Sequence, residues 1–390
     1  MDEKASFCRK SVINHTMKVL FFIPTLSNGG AERVLCNLVD KLVTHKDINI
    51  DVLTLFKDDR DKLPTDVGYR YIWKRKFRGN VQLLKLIHAK WLYNRMIARY
   101  GKYDIVVSYL QSPSMRVVGA CTSSKTKTVN WIHNEFHDIT KLKHLYRNDE
   151  ECRKSMLHYD ATVYVSESAK AAMEKWFSSL AKKKSRVIYN VNDFDKILRL
   201  SEETMESISF DSNKFNIISV GRFTQQKAFD RLIRITAFLR KANVEVELYL
   251  LGDGALRQSY IDLSEKLGIK NNLHLLGFQE NPFKYVRQAD LFVCSSIHEG
   301  YSTAVTESLV VGTPVVTTDC SGMKELLGVN SEYGIITPND ETALGKAVLT
   351  VANDKALYQR LKEKAIERGQ QLIQTDNVAP VINLFNDLLK

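Results

Sequence analysis

Short apolar runs recur along the chain and alternate with stretches of helical period. Val19 to Ile23, Asn49 to Phe56, Tyr103 to Leu110, Thr126 to Ile132, Ala161 to Val165 and Val187 to Asn190 form a first series. Phe215 to Val220, Val246 to Leu251, Asn272 to Leu276, Ala289 to Cys294 and Pro314 to Thr317 form a second. Runs of this length, apolar on both faces, predict buried strands of a parallel sheet. Between them, Ala31 to Val43 carries Val34, Leu35, Leu38 and Leu42 on one stripe. Asp230 to Leu239, Ser302 to Gly312, a segment from about Asp340, and Val378 to Leu389 also predict helices. Strands and helices alternating in two series predict an α/β protein of two doubly wound domains. The polar stretch Ser201 to Asn213 lacks a core period and reads as a linker. The expected division is 17–205 and 206–375, with a last helix in 376–390. Met1 to Thr16 is polar, has no apolar h-region and reads as a disordered leader.

At 390 residues the chain is long for one core, which agrees with two domains. Its 44% hydrophobic and 26% charged residues are those of a soluble globular protein. Six cysteines are scattered without Cys-x-x-Cys spacing, so neither a zinc cage nor a redox dithiol is suggested. Several lie in apolar runs, as reduced core thiols do, and a reducing cytoplasm is expected.

The net charge of +11 implies anionic partners: nucleotide diphosphates, an anionic membrane or nucleic acid. No recognised nucleic-acid module appears, so that partner is disfavoured. No apolar run approaches the ~20 residues that span a bilayer. From Arg70 to Tyr103 there are ten basic residues and no acidic one, interleaved with Trp73, Phe77, Trp91 and Tyr93. Such a stretch suits adsorption to an anionic bilayer, or is the solvated face of a surface helix. Lys182, Lys183, Lys184 and Arg186 extend it.

The candidate chemistry centres on Cys294 to Thr318. A strand delivers a polar loop with Glu299 and Gly300, and a helix then opens at Ser302 and Thr303. A helix mouth just past a strand's carboxyl end leaves backbone N–H groups and a dipole that favour an anion. Gly300 would let a phosphate approach the backbone. Glu299 and Glu307, eight residues apart, flank this turn. Carboxylates repel phosphate but suit hydroxyls on either side of it, which outlines a nucleotide-sugar. Gly221-Arg222-Phe-Thr-Gln-Gln-Lys227 places two cations at another strand end, fit to grip a diphosphate. Thr25 to Gly30 is a glycine-rich approach to a helix, without a Walker lysine. His133 follows a strand, where ligands gather in open α/β sheets.

Glu299-Gly-Tyr-Ser-Thr-Ala-Val-Thr-Glu307 resembles the Glu-x7-Glu motif of family 4 glycosyltransferases. The Arg222 loop is similar to that family's Gly-Arg-x4-Lys-Gly pattern, with Ala228 where glycine is usual. Gly29-Gly30-Ala-Glu-Arg resembles the family loop beside the donor sugar-phosphate, and the family carries a histidine at the His133 position. The resemblance implies a GT-B fold of two Rossmann-like domains facing a cleft. It implies sugar transfer with retention from a nucleotide-sugar such as a UDP-sugar, with no metal or cofactor. His133, Arg222, Lys227 and Glu299 are the implied catalytic residues. Gly29, Gly30, Gly221, Gly252, Phe278, Gly300, Tyr301, Ser302, Thr303 and Glu307 would line the donor site. Glu299 would hold sugar hydroxyls and Glu307 the ribose. The C-terminal helix would return to the first, acceptor-binding domain. A saccharide acceptor, lipid-linked, is expected, as in capsule or lipopolysaccharide assembly. The expected location is the cytoplasm, peripheral on the inner face of the plasma membrane. A nucleotide-sugar epimerase and a non-catalytic nucleotide-sugar adaptor remain as alternatives.

Overall fold

In the computed structural model, residues 16–27, 29–58, 63–135, 140–177, 184–205 and 208–390 are described. Most of the expected leader lies outside them, as do Lys182 and Lys183. The first series of runs becomes β1 (Met17–Ile23), β2 (Ile48–Phe56), β4 (Ile105–Tyr109), β5 (Lys127–Ile132), β6 (Ala161–Tyr164) and β7 (Lys184–Val187), with β3 (Gly68–Trp73) added outside the expected runs. They form a seven-stranded sheet in the order β3-β2-β1-β4-β5-β6-β7. The second series becomes β8 (Phe215–Val220), β9 (Val246–Leu251), β10 (Leu273–Gly277), β11 (Leu291–Cys294) and β12 (Val315–Thr318), and a strand outside the expected runs, β13 (Ile335–Thr337), joins them. Their order is β10-β9-β8-β11-β12-β13. Neighbouring strands such as β1–β2, β1–β4, β8–β9 and β8–β11 pair in parallel, as befits strands buried on both faces. Strand order reverses between β1 and β4 in one sheet and between β8 and β11 in the other. The carboxyl ends at such a reversal are where doubly wound sheets take ligands.

By compactness the described chain divides into two units. One holds the residues up to Asn130, Leu145–Asp160 and Phe385–Lys390; the other holds Trp131–His144 and Ala161–Leu384. In the first, Leu20, Phe22, Leu53, Leu92, Val106 and Tyr159 belong to one apolar core. Phe385, near the end of the helix Ala379–Leu389, lies against Phe21 of β1. In the second, Ile217, Phe229, Leu248, Val293, Val316 and Leu344 share a core.

Three local expectations are corrected. Gly68–Trp73 is a half-buried strand, not part of a basic helical face. Its Arg70 turns to the buried Asp51, 3.0 Å away, which also accepts from the Tyr103 hydroxyl at 2.6 Å. The strand expected at Val187 to Asn190 lies earlier, at Lys184–Val187. The expected loop at Gln111 to Ser114 instead turns into the helix Pro113–Val118, capped by Ser112 and opened by a proline at its first position. Among the described residues no helix is long and apolar enough to cross a membrane.

Candidate functional site

Three glycines draw the ends of β8, β9 and β10 together. Gly252, after β9, has a φ of 130° and donates its N–H to the Gly277 carbonyl at 2.7 Å. A Cβ on Gly252 would lie 2.0 Å from the Gly221 carbonyl oxygen. A Cβ on Gly221 would lie 3.1 Å from Lys227 Cε, so glycine there lets the lysine stem lie against the strand end. The turn closes at Ala228, whose φ of 49° is left-handed. This is why glycine suits the position: alanine bears a strain of about 1–2 kcal/mol there.

The loop after β11 is stitched to this turn. The Ile297 N–H donates to the Gln226 carbonyl at 2.8 Å, and the Gln226 amide donates to the His298 carbonyl at 2.9 Å. The Ser295 hydroxyl donates to the Lys227 carbonyl at 2.8 Å. Lys227 Nζ thereby stands 2.6 Å from Glu299 Oε1, and the Ser296 hydroxyl donates to the same oxygen at 2.6 Å. Burial alone would lower the Lys227 pKa, but the Glu299 carboxylate outweighs it and holds the ammonium above its ordinary value. Lys227 is a fixed cation with N–H donors to spare beyond the one that Glu299 takes. Arg222, one residue past Gly221, is exposed.

Ser302 caps the helix Thr303–Val310, accepting from the Val305 N–H. Its hydroxyl serves the helix, and the amides of Thr303 and Ala304 are those a helix leaves without an internal partner. Glu307 is buried on the second turn. Tyr301 packs its ring on Tyr189, centroids 5.0 Å apart, and its carbonyl accepts from the Asn190 amide. Phe278 is exposed just beyond β10. Gly300 is also required by packing within the unit. A Cβ there would stand 1.7 Å from the His133 carbonyl oxygen, so glycine is required for the two backbones to pass this closely.

His133 follows β5 and is buried, its ring stacked near Trp131. Burial pushes its imidazole down from 6.5 to about 3. It is neutral at physiological pH, a hydrogen-bonding group rather than a cation. The unfolded chain binds a proton below pH 6.5 that the folded chain refuses until about pH 3. This contribution to stability is therefore complete above pH 6.5 and is lost on acidification at about 1.4 kcal/mol per pH unit. His133→Gln is expected to flatten that slope between pH 6.5 and 5. Urea midpoints at both pH values check it; equal losses in the two proteins would contradict it.

Gly29 and Gly30 lie in the other unit, at the end of β1. Gly29 precedes the helix Gly30–Leu42, and a Cβ on it would stand 2.0 Å from Glu32 Oε2. The second unit thus brings Gly221, Lys227, Gly252, Glu299, Gly300 and the helix entrance onto one sheet edge. Sequence reasoning passed over Gln226, Ser295 and Ser296; as loop polar residues they carry no periodic signal. Among the described residues no group of three or more His, Cys, Asp or Glu could hold a metal ion.

Two family models match the chain: Glycosyltransferase Family 4 over residues 28–196 and Glycosyl transferases group 1 over 201–368. An uncharacterized glycosyltransferase of Methanocaldococcus jannaschii is 30% identical over 290 residues, 71% of each chain. The chain belongs to glycosyltransferase family 4. A Campylobacter jejuni relative of this family 4 enzyme is an N-acetylgalactosaminyltransferase acting on a diphospho-undecaprenol-linked saccharide. It is 28% identical over 370 residues, 90% of this chain and 95% of the relative. Anabaena HepE, solved with UDP and glucose, has a TM-score of 0.72 at 18% identity, covering 95% of this glycosyltransferase and all of HepE. The two Rossmann-like parallel sheets are those of GT-B glycosyltransferases, and the protein is a hexosyltransferase.

Proposed function

We propose that this glycosyltransferase moves a hexosyl group, with retention, from a nucleoside-diphosphate sugar to a lipid-linked saccharide in cell-surface polysaccharide assembly. The observation that carries the donor reading is the Lys227–Glu299–Ser296 cluster, set on the same sheet edge as the entrance of the helix Thr303–Val310. Arg222, Lys227 and the amides at Ser302 and Thr303 neutralise the leaving diphosphate, so the reading requires no metal. The bond from the anomeric carbon to the diphosphate oxygen breaks. A bond from the acceptor hydroxyl oxygen forms on the same face, and the hydroxyl proton passes to the leaving phosphate. Glu299 holds sugar hydroxyls and is not a nucleophile. Neutral His133 donates or accepts a hydrogen bond near the anomeric centre. The Campylobacter relative's lipid-linked acceptor and the UDP and glucose bound by HepE support this reading. On this reading the enzyme works at the inner face of the plasma membrane.

Glu307 is assigned to the ribose hydroxyls. Glu307→Ala is expected to raise the donor dissociation constant about 10–100-fold, the worth of hydrogen bonds to a charged group. Titration calorimetry with a nucleotide-sugar checks this. The donor is first found by thermal shift, since a ligand at a hundredfold excess over its dissociation constant adds about 2.7 kcal/mol of stability. An unchanged constant removes the ribose assignment.

A further inference from the structure

The acid-free stretch of the first unit folds into two helices, Asn80–Leu86 and Ala89–Met96, whose outward faces are inverted. A surface helix buries its apolar stripe and shows polar residues to water. Here Leu84, Leu92, Tyr93 and Met96 are buried as expected. Yet Leu83 is 41%, Leu86 79% and Trp91 54% exposed. Leu83 and Leu86, three residues apart, share one outward face. Trp91 shares its face with Arg95, four residues on. Phe77, itself 38% exposed, is seated edge-on against Trp73, with ring centroids 5.1 Å apart.

The exposed leucine is held rather than loose. Arg116, only 2% exposed, donates to the Leu84 carbonyl at 2.7 Å and the Ile87 carbonyl at 3.0 Å. Arg147 donates to the Lys85 carbonyl at 2.6 Å and the Leu86 carbonyl at 2.7 Å. One carboxylate, Glu151, fixes both arginines: it takes Arg116 Nε at 2.9 Å and the Arg147 N–H at 2.7 Å. Two guanidinium groups thus cap the negative end of the first helix, where its carbonyls lack internal partners. An apolar prong is presented on a rigid turn.

Around it the charge has one sign. Lys74, Arg75, Lys76, Arg78, Lys90 and Arg95 are exposed. Among the described residues none of these six makes an ion pair. A protein groove complementary to this face would have to supply both an apolar floor and a broad acidic rim. An anionic bilayer supplies both at once: acyl chains below, phosphates at the surface.

We propose that the face formed by Phe77, Leu83, Leu86 and Trp91, with its rim of cations, docks this enzyme on anionic lipid. The apolar side chains enter the acyl boundary, and Lys74 to Arg78 lie among the headgroups. This rests on the lipid-linked acceptor reading and adds the surface through which the membrane is met.

The test uses the full chain and vesicles of phosphatidylcholine with or without 30 mol% phosphatidylglycerol. Flotation is expected with the anionic vesicles and not with the neutral ones. Replacing Lys74, Arg75, Lys76 and Arg78 by Gln should weaken partitioning by roughly 600-fold, about fivefold for each of the four cations near the surface. Brominated acyl chains should quench tryptophan fluorescence in the native protein, and Trp91→Phe should abolish the quenching. No flotation with anionic vesicles, or quenching that survives Trp91→Phe, overturns the proposal. Thermal shift by a nucleoside diphosphate, read on the same samples, separates this from the functional reading. A shift without flotation overturns the docking face alone; flotation without a shift overturns the donor reading alone.

Discussion

Lys227→Ala is expected to lower kcat by about a thousandfold. The ammonium stands 2.6 Å from Glu299, sheltered and held charged by it. A preorganised donor aimed at developing negative charge contributes about 3–4 kcal/mol, and its loss slows turnover by two to three orders of magnitude. The same change removes the partner of a buried carboxylate. Breaking one side of such a pair destabilises by about 3 kcal/mol, because the remaining charge stays buried. The two effects are separable. In Lys227→Ala combined with Glu299→Gln, the uncompensated charge is gone, so stability should return most of the way while turnover stays low. Steady-state kinetics and urea midpoints on the single and double variants test both parts. Wild-type turnover from Lys227→Ala would remove the diphosphate assignment.

Gly252→Ala should be strongly damaging to the second unit. The new Cβ would stand 2.0 Å from the Gly221 carbonyl, and backbone cannot swing aside as a side chain does. The φ of 130° adds strain of its own. Overpacking of about 1–3 kcal/mol and backbone strain of about the same size together predict a loss of about 2–6 kcal/mol. Nucleotide binding should go with it, because the methyl displaces Gly221 and with it the bed of the Lys227 stem. Gly268→Ala is the control. Its φ is 70°, but nothing lies within 4 Å of the added carbon, so only the left-handed strain of about 1–2 kcal/mol applies. Urea denaturation of the two variants side by side checks the ranking. Equal losses would show that the close approach at Gly252 carries no weight.

The central strands were legible because both their faces are covered. β1, β4 and β9 read as mostly apolar runs, each broken by a single polar or charged residue. The two errors in the first series fall on β3 and β7, the outer strands of the seven-stranded sheet. Edge strands carry charge to discourage further pairing, and that charge hides them. Gly-Tyr-Arg-Tyr-Ile-Trp and Lys-Ser-Arg-Val look like surface segments for this reason. Arg70 also shows how a basic run can mislead: it leaves the patch to neutralise Asp51.

Residue types and spacing made Lys227 and Glu299 visible separately. Their pairing was not, since 72 positions separate them and only the parallel neighbours β8 and β11 bring their loops together. Ser296 lies inside the stretch that was singled out, yet nothing in a serine's place in a loop says which carboxylate it will bind. Gly300 was noticed for a missing side chain, but its backbone neighbour was not foreseen. The neighbour is the carbonyl of His133, 167 residues away. Close approaches of this kind depend on the whole topology and leave no local mark.

The most direct measurement is a crystal structure of the enzyme with a bound nucleoside diphosphate. The diphosphate oxygens should lie about 3 Å from Arg222, from Lys227 Nζ and from an amide at the entrance of the helix Thr303–Val310, with Glu307 on the ribose. A diphosphate bound on any other surface, with Lys227 still closed on Glu299 alone, would contradict the account.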